Sequence, residues 1–427
     1  MGKEGIVREL ALAAAKARGL RQDLNDRYTR QFVQVLSVEE EIKSTLGDLR
    51  PFLNQILPHE RNRRWREAME TIFARVSDSE HTLLCLHNVF YRRSNFFTCT
   101  DWELLRRYRP TVMVTLINDL YDVWETINDR ERKLATNSYF HLPEILAWRS
   151  AEISATESLA ENLYVRPHVY GLGPDRFSSV RKDYPALSTA FGHAVPHFLF
   201  AAKHPLETLY QLLFRRDFLL VYASFPITKT RNDSQGRTEI DGYRQRLFES
   251  GFLTVLDPLT IDELRFIDSW QPGKPALRPR WPLTLGPPML EEIPLTTDPF
   301  TGYNELQFNS LKSSVERHVE VRDYKMVSQT MCLAAYRPFY GGVLGSNVPP
   351  SDKPSGGVDK ELMYAVAESK LIYAFHPPQD RRDEAQVFSS VSFAVSPTRL
   401  EDLLGELHKV QQQRTSRSGQ DQNYTWE

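Results

Sequence analysis

Short apolar runs typical of buried strands alternate with amphipathic helical patterns along most of the chain. In the first half, strands are predicted at 32–36, 81–87, 110–117 and 195–201. Helices are predicted at 2–28, 61–74, 101–108, 142–163 and 206–214, and a capping box from Ser37 to Glu40 starts a further one. Strands that alternate with helices form parallel sheets covered on both faces. The first half therefore predicts an α/β domain.

The same alternation begins again at residue 218. Strands are predicted at 218–225, 253–256, 331–336 and 371–375, and helices at 243–249, 308–328 and 397–413. The segments without periodicity are a polar loop at 228–239, a Pro- and Trp-rich segment at 270–300 that is a long loop or an ordered excursion, and a disordered tail from Arg414. We predict an α/β protein with two Rossmann-like three-layer domains of mainly parallel sheets. The domains are 1–214 and 215–413, followed by the tail 414–427.

The run Ser355-Gly-Gly-Val-Asp-Lys-Glu361-Leu-Met-Tyr-Ala365 lies between two predicted strands. It begins with small, turn-forming residues and continues as a helix, so the segment predicts a strand–loop–helix–strand unit. In open α/β sheets the ligand site lies where the loops leave the carboxyl ends of the strands. Glycines let the backbone approach a ligand closely, and a helix N-terminus favours an anion. Glu361, about one turn into the helix, is therefore a candidate functional carboxylate.

Composition excludes several classes of protein. The 427 residues carry a formal net charge of −2, which gives no electrostatic basis for non-specific nucleic-acid binding. No run approaches the roughly 18 apolar residues of a membrane helix, and the apolar stretch at 10–17 is too short for a signal peptide. The three cysteines, Cys85, Cys99 and Cys332, show neither metal-binding nor disulfide spacing. We therefore expect a cytoplasmic protein with buried, reduced thiols.

Three blocks in the second half resemble a known family. They are Val221-Tyr-Ala-Ser-Phe-Pro-Ile227, the helix-to-strand segment that starts at Arg322-Asp323, and the run from Ser355 to Ala365. In order and spacing, these blocks resemble the nucleoside 2-deoxyribosyltransferases and, more closely, the related 2′-deoxynucleoside 5′-monophosphate N-glycosidases. The third block is the most specific of the three.

The resemblance implies a chemistry and a set of roles. Glu361 would be the nucleophile on the anomeric carbon and form a glycosyl ester, as carboxylates do in retaining glycosidases. Asp323 would manage protons near the base or sugar, and Tyr222 would orient the nucleophile. The resemblance further implies substrate contacts from Ser224, and from Ser355 with the backbone N–H groups of Gly356 and Gly357, which would hold a 5′-phosphate. No metal and no cofactor are implied. Water as the acceptor gives a hydrolase, and a second base gives a transferase.

Each of these residues also has an ordinary structural interpretation. Glu361 could be a solvated helix carboxylate, Asp323 a partner of Arg322, Ser355 a helix cap, and Tyr222 a packing residue. The chain also departs from the family pattern in the long loop at 338–354, which favours a substrate larger than a mononucleotide or a partner that covers the site.

The first half resembles the nucleoside-monophosphate kinases of the archaeal adenylate kinase type. The resemblance rests on strand ends at His87 and Asn118-Asp119, on Arg92 and Arg93, and on the 144–157 helix that carries Arg149. It implies nucleotide binding by His87, Arg92, Arg93 and Arg149. No complete G-x-x-x-x-G-K-[ST] loop occurs, although Met1-Gly2-Lys3-Glu4 stands where the end of such a loop belongs. Either the chain starts upstream of Met1 or the loop has decayed, and Arg149 alone could be a surface charge.

Together these observations predict a nucleotide N-glycosidase joined to a degenerate kinase-like domain. Such a fusion suits a stress or antiphage effector whose partners are a nucleotide substrate and a second copy of the chain or a regulatory protein. Two alternatives from other classes remain open. One is a nucleotide-sensing regulatory protein without catalysis, and the other is a nucleotide kinase with a longer N-terminus.

Overall fold

In a computed structural model of the protein, the described residues form a mixed α/β protein in which most strand pairs are parallel. The described residues are 3–76, 79–92, 95–133, 140–163, 195–215, 217–230, 234–270, 277–280, 291–294, 298–300, 302–336, 356–375, 394–395 and 400–420. They divide into two compact units. The first holds the described residues up to Ala202 together with Pro299 and Phe300, and the second holds the rest from Lys203 onwards. No helix in these ranges has the length and apolar character needed to cross a bilayer.

The first unit contains short strands and helices of six to 21 residues. Its helices are α1 (Lys3–Ala17), α2 (Arg27–Phe32), α3 (Val38–Leu46), α4 (Leu49–Asn54), α5 (Pro58–Phe73), α6 (Trp102–Tyr108), α7 (Leu120–Lys133) and α8 (Leu142–Asn162). Its strands are β1 (Val33–Ser37), β2 (His81–Cys85), β3 (Phe90–Arg92), β4 (Asn95–Phe97), β5 (Met113–Ile117) and β6 (His197–Ala201).

The strands of the first unit form separate pairs. β1 pairs with β2 and β5 pairs with β6, both in parallel, as the alternating pattern predicts. The antiparallel hairpin of β3 and β4 was not predicted, because each strand has only three residues. The predicted single sheet therefore does not appear among the described strands, which form three two-stranded ladders.

Local signals place several helix ends in this unit. The Ser37 hydroxyl accepts a hydrogen bond from the Glu40 N–H, as the capping box predicts. The predicted helix at 2–28 is interrupted, since α1 stops at Ala17 and Gly19 adopts φ +75°. A left-handed glycine just past a helix is the usual way to end it, because glycine has no Cβ to clash. Trp65, Phe52 and other buried side chains of α3 to α6 pack against strands β1, β2 and β3.

The second unit is built on a larger sheet. Its helices are α9 (Leu206–Phe214), α10 (Ile227–Thr230), α11 (Ser234–Phe248), α12 (Glu263–Asp268), α13 (Glu305–Gln329), α14 (Gly356–Ala367) and α15 (Leu400–Gln420). Its strands are β7 (Leu219–Ser224), β8 (Leu253–Leu256), β9 (Leu277–Arg280), β10 (Glu291–Pro294), β11 (Cys332–Tyr336), β12 (Leu371–Phe375) and β13 (Ala394–Val395).

Five parallel strands form that sheet in the order β13-β12-β11-β7-β8. Every residue of β7, β8 and β11 is buried, which explains why these strands are continuous apolar runs rather than alternating ones. The core between sheet and helices includes Tyr243 and Leu247 of α11 and Leu403 and Leu407 of α15. Cys332 and the other two cysteines are free and buried, as predicted.

Two predictions about loops were wrong, and a third alternative was settled. The polar segment 228–239 is largely helical, because α11 starts at Ser234 and its buried apolar residues are Ile240, Tyr243 and Leu247, so its first turns appear polar in sequence. The segment 270–300, predicted as a long loop or an ordered excursion, contains the antiparallel pair β9 and β10. The tail is helical as far as Gln420, and Arg414 Nη1 donates to the Phe218 carbonyl at 2.9 Å.

Helix α9 belongs to the second unit, although the predicted domain boundary at 214/215 assigned it to the first. Leu209 and Leu212 are buried, and α9 contacts strand β8. The periodic pattern of α9 predicts a helix with one apolar face, but it carries no information about which sheet covers that face.

Candidate active site

Two hydroxyl side chains converge on one carboxylate at the carboxyl end of the five-stranded sheet. Tyr222 and Ser224 lie on β7, two residues apart, and alternate residues of a strand point to the same face. Glu361 lies on α14, which contacts α13, β11 and β12. Because β11 and β7 are neighbouring parallel strands, α14 places Glu361 over the end of β7.

Both oxygens of Glu361 are held by hydroxyl groups. Tyr222 Oη donates to Glu361 Oε1 at 2.9 Å, and Ser224 Oγ donates to Oε2 at 2.5 Å. Tyr222 and Ser224 are fully buried, and Glu361 is 9% exposed. A carboxylate on a surface helix would be solvated, so the ordinary interpretation of Glu361 does not describe this geometry.

Burial and a second carboxyl change the acidity of Glu361. Burial, followed by the charge of Asp323, raises the pKa of Glu361 to about 8, while the hydrogen bonds from Ser224 and Tyr222 oppose the rise. Burial also raises the pKa of Tyr222 well above its usual value, so the phenol remains a donor. Two carboxyls that interact this closely titrate as a pair rather than independently.

Asp323 on α13 is held by its neighbour Arg322. Arg322 Nε and Nη2 lie 2.9 and 2.8 Å from Asp323 Oδ1. Arg322 Nη1 donates to the Ile261 carbonyl at 2.8 Å, beyond the 3-10 turn Pro258–Thr260. Burial raises the pKa of Asp323, and the Arg322 guanidinium limits that rise. The pairing with Arg322 that sequence suggested as an alternative for Asp323 is present, beside Glu361 rather than away from it.

The predicted phosphate-binding residues are only partly visible. Gly356 and Gly357 form the first turn of α14 and are exposed, and a Cβ on Gly356 would meet nothing within 4 Å. Among the described residues, none fills the space beside Gly356 at the N-terminus of the helix that carries Glu361. Ser355 and the long loop 338–354 lie outside the described residues.

In the first unit, His87 belongs to a charged cluster with Lys3 and Glu39. Glu39 Oε1 accepts from the His87 backbone N–H at 2.7 Å and lies 2.8 Å from His87 Nδ1. Lys3 Nζ lies 2.9 Å from the same oxygen. Burial alone would raise the pKa of Glu39, but Lys3 and His87 hold it well below its usual range. Lys3 and His87 thus meet a buried carboxylate at the carboxyl ends of β1 and β2.

The predicted nucleotide-binding arginines have partners of their own. Arg92 Nε donates to Asn54 Oδ1 at 2.8 Å, and Arg92 Nη1 lies 3.3 Å from Glu131 Oε1. Arg149 is half-buried on α8. Arg93 lies outside the described residues. Arg92 and His87 therefore bind different carboxylates.

Several side chains around these two clusters have contacts that the sequence did not predict. Lys3, Glu39 and Arg322 were not assigned roles, and Ser224, predicted to contact substrate, donates to Glu361. The Tyr-x-Ser spacing could have revealed Ser224, since it puts both hydroxyls on one face of a strand. No sequence signal distinguishes Arg322 from a surface arginine of a helix. Among the described residues, no group of three His, Cys, Asp or Glu side chains could hold a metal ion.

Comparisons with known proteins add no relative: no protein family model matches this chain, and no curated protein has a similar sequence. The resemblance to the deoxyribosyltransferases and N-glycosidases therefore rests on the three sequence blocks alone. The geometry around Glu361 stands independently of it.

Proposed function

We propose that the second unit is a nucleotide N-glycosidase that cleaves the base–sugar bond through Glu361. The observation that carries this proposal is the buried carboxylate itself, held on both oxygens by Tyr222 and Ser224 beside a second carboxyl. Burying an ionisable group costs free energy, and such groups with altered acidity in clefts are frequent at catalytic sites. A Rossmann-like three-layer arrangement, in which ligands bind at the carboxyl ends of parallel strands, fits this position.

The proposed reaction has two balanced steps. Glu361 attacks the anomeric carbon as the carbon–nitrogen bond breaks. The electron pair of that bond and a proton from Asp323 go to the departing base. Water then attacks the anomeric carbon of the glycosyl ester, and Asp323 takes up the proton that water loses. Glu361 is released as a carboxylate, and both Glu361 and Asp323 return to their starting protonation states. A second base in place of water would give transfer, and no step requires a metal or cofactor.

Chromatography of released free base tests this proposal. The protein is incubated with nucleoside monophosphates, deoxynucleotides, ATP and NAD, and base release is compared between wild type, Glu361→Gln and Glu368→Gln. Glu368 follows the same helix but is exposed, so it controls for loss of a carboxylate. We expect release by wild type and Glu368→Gln and none by Glu361→Gln. Full activity of Glu361→Gln would end the mechanism.

The second candidate is a nucleotide-sensing role for the first unit, which would act alone or regulate the glycosidase of a cytoplasmic stress or antiphage effector. Lys3, which contacts His87 at the strand ends, favours it, because a cationic group there suits a phosphate. A protein that only senses nucleotides would show saturable binding and no turnover with any compound of the same panel.

A further inference from the structure

Arg322 is one of the most deeply buried charges of the second unit. Its side chain is 4% exposed, and its guanidinium reaches Asp323, the Ile261 carbonyl at 2.8 Å and the Pro258 carbonyl at 3.5 Å. An arginine fork with three partners is rigid, because the planar group cannot rotate without losing one of them. Arg322 therefore ties helix α13 to the turn that follows β8.

The pairing of Arg322 with Asp323 is unusual for a helix. Side chains at adjacent helical positions do not normally face each other, so the guanidinium has to reach around to its neighbour. Both of its bonds end on Asp323 Oδ1. None of the described residues donates to Oδ2, and the Asp323 side chain keeps 12% exposure against 4% for Arg322. One oxygen is thus fixed, and the other is left for a ligand.

Stability alone does not explain such a pair. Replacing a buried ion pair by apolar residues is often neutral or stabilising, so buried pairs are weak evidence of a stabilising role. The second unit has another fully buried arginine, Arg244, whose guanidinium binds Asp257 and Asp241. In that pair Asp257 Oδ1 also accepts the Leu259 N–H, so both carboxylate oxygens have protein partners. The two buried pairs therefore differ. Both oxygens of Asp257 have protein partners, whereas Asp323 Oδ2 has no donor among the described residues.

We propose that Arg322 is a positioning residue for base release: it holds Asp323 by Oδ1 and directs Oδ2 toward the nitrogen of the departing base. The inference rests on the proposed function. In the cleavage step, the proton moves from Oδ2 to that nitrogen as the carbon–nitrogen bond breaks. The Arg322 charge then stabilises the Asp323 carboxylate that remains, and water returns the proton in the second step.

The ionisable groups that face Asp323 determine how the Arg322–Asp323 pair responds to pH. They are Arg322 on its own helix, Glu361 on α14, Tyr222 on β7, and Asp262 and Glu263 at the start of α12. Arg322 is the cation among them. Its removal leaves three carboxyls around Asp323, and both carboxyls of the catalytic pair should then keep their protons to higher pH.

The pH profile of base release tests the proposal in wild type, Arg322→Gln and Arg322→Lys. We expect both limbs of the Arg322→Gln profile to move up by about one pH unit or more, and kcat to fall roughly 100-fold with KM little changed. Arg322→Lys keeps the charge without the fork, so its limbs should stay in place while kcat falls less. Arg244→Gln is the matched control, expected to lower stability and leave the limbs where they are.

A double-mutant cycle with Asp323→Asn separates positioning from general damage. If Arg322 acts through Asp323, Arg322→Gln should cost no further activity once Asp323 is replaced. Additive losses, or unshifted limbs in Arg322→Gln, would overturn the proposal. Should Arg322→Gln fail to fold, Arg322→Lys tests the positioning role by itself: we expect a lower kcat with the limbs in place, and a wild-type kcat would overturn the proposal.

Failure of the proposed function would look different. If wild type releases no base from any compound, the glycosidase is rejected. Carbon NMR titration of the carboxyl groups needs no turnover and shows whether Arg322→Gln raises the pKa of Asp323. A raised pKa in an inactive protein would reject only the reaction, whereas an active protein with an unchanged carboxyl titration would reject only the role of Arg322.

Discussion

At the scale of single residues, Glu361 connects folding with chemistry. Its pKa is raised to about 8, chiefly by burial, so the folded protein binds a proton there that the unfolded chain releases near its ordinary pKa of 4.5. The proposed nucleophile reacts only as the ionised carboxylate, and burial disfavours that form until hydrogen-bond donors or a substrate help to stabilise it. Tyr222 and Ser224 supply part of that help, because both donate to the carboxylate.

Glu361→Gln should therefore stabilise the protein in a pH-dependent way. For a carboxyl with a raised folded-state pKa, the favourable contribution is complete below about pH 4.5 and is lost as pH rises to about 8. The difference in the free energy of unfolding between Glu361→Gln and wild type should grow over this window, by about 1.4 kcal/mol per pH unit at most, and level off above it, and the difference in melting temperature should follow the same trend. Differential scanning fluorimetry from pH 5 to pH 9 measures it, with Glu368→Gln as a control that should show no trend.

Tyr222→Phe and Ser224→Ala should each weaken the nucleophile. Either change removes a hydrogen bond to a charged carboxylate, worth about 1.5–3 kcal/mol, or roughly 10- to 100-fold in rate. The pKa of Glu361 should rise, so the acid limb of base release should move to higher pH. Ser224→Thr, which keeps the hydroxyl, is the matched control. Wild-type rates in Ser224→Ala would show that the bond to Oε2 has no part in catalysis.

At the scale of elements, helix α14 carries both Glu361 and an exposed first turn. Its first turn is exposed at Gly356 and Gly357, and its inner face buries Val358, Leu362 and Ala365. The spacing of these apolar residues makes the helix predictable, and the same spacing places Glu361 on the buried side. The N-terminal N–H groups of the helix lie on the side where an anionic part of a substrate would sit.

Gly356→Ala tests whether the first turn of α14 binds the substrate. The added Cβ meets no described atom within 4 Å, and Gly356 does not have a positive φ, so the protein should fold with unchanged or slightly higher stability. If a nucleotide phosphate lies against this turn, KM for nucleoside monophosphates should rise roughly tenfold or more while thermal stability stays level. Gly405→Ala on α15, also in open space, is the control. An unchanged KM would place the phosphate elsewhere.

At the scale of the whole molecule, two units carry two separate charged sites. The first unit gathers Lys3, Glu39 and His87 at the ends of β1 and β2, and the second gathers Tyr222, Asp323 and Glu361. A sensor joined to an enzyme would bind its ligand twice per chain, once at each site.

Calorimetric titration of Glu361→Gln, which should bind without turnover, tests the two-site arrangement. We expect two nucleotides per chain, and one after His87→Ala is added, because the first-unit site loses the side chain that contacts Lys3 and Glu39. Base release by the single variant His87→Ala should persist if the first unit only senses. A stoichiometry of one in both proteins would leave the first unit without a nucleotide.

Much of the site could be predicted from residues close in sequence. The run from Ser355 to Ala365 identified Glu361, and the Tyr-x-Ser spacing on β7 contained both of its hydrogen-bond donors, although Ser224 was assigned to substrate. Lys3 and Glu39 could not be found, because 84 and 48 residues separate them from His87. The first turns of helix α11 and the strand pair β9–β10 were not predicted, because polar outer faces and partner strands leave little periodicity in a short segment.

The sequence by itself determined where the strands and most helices lie, since burial on a sheet or helix face demands periodic apolar residues. It also determined which carboxylate lies on a helix that begins with two glycines. Only the tertiary structure decided that Glu361 is buried between two hydroxyls, that Arg322 turns back to Asp323, and that α9 joins the second unit. Those contacts join residues distant in the chain or set by side-chain conformation, and periodicity carries no information about either.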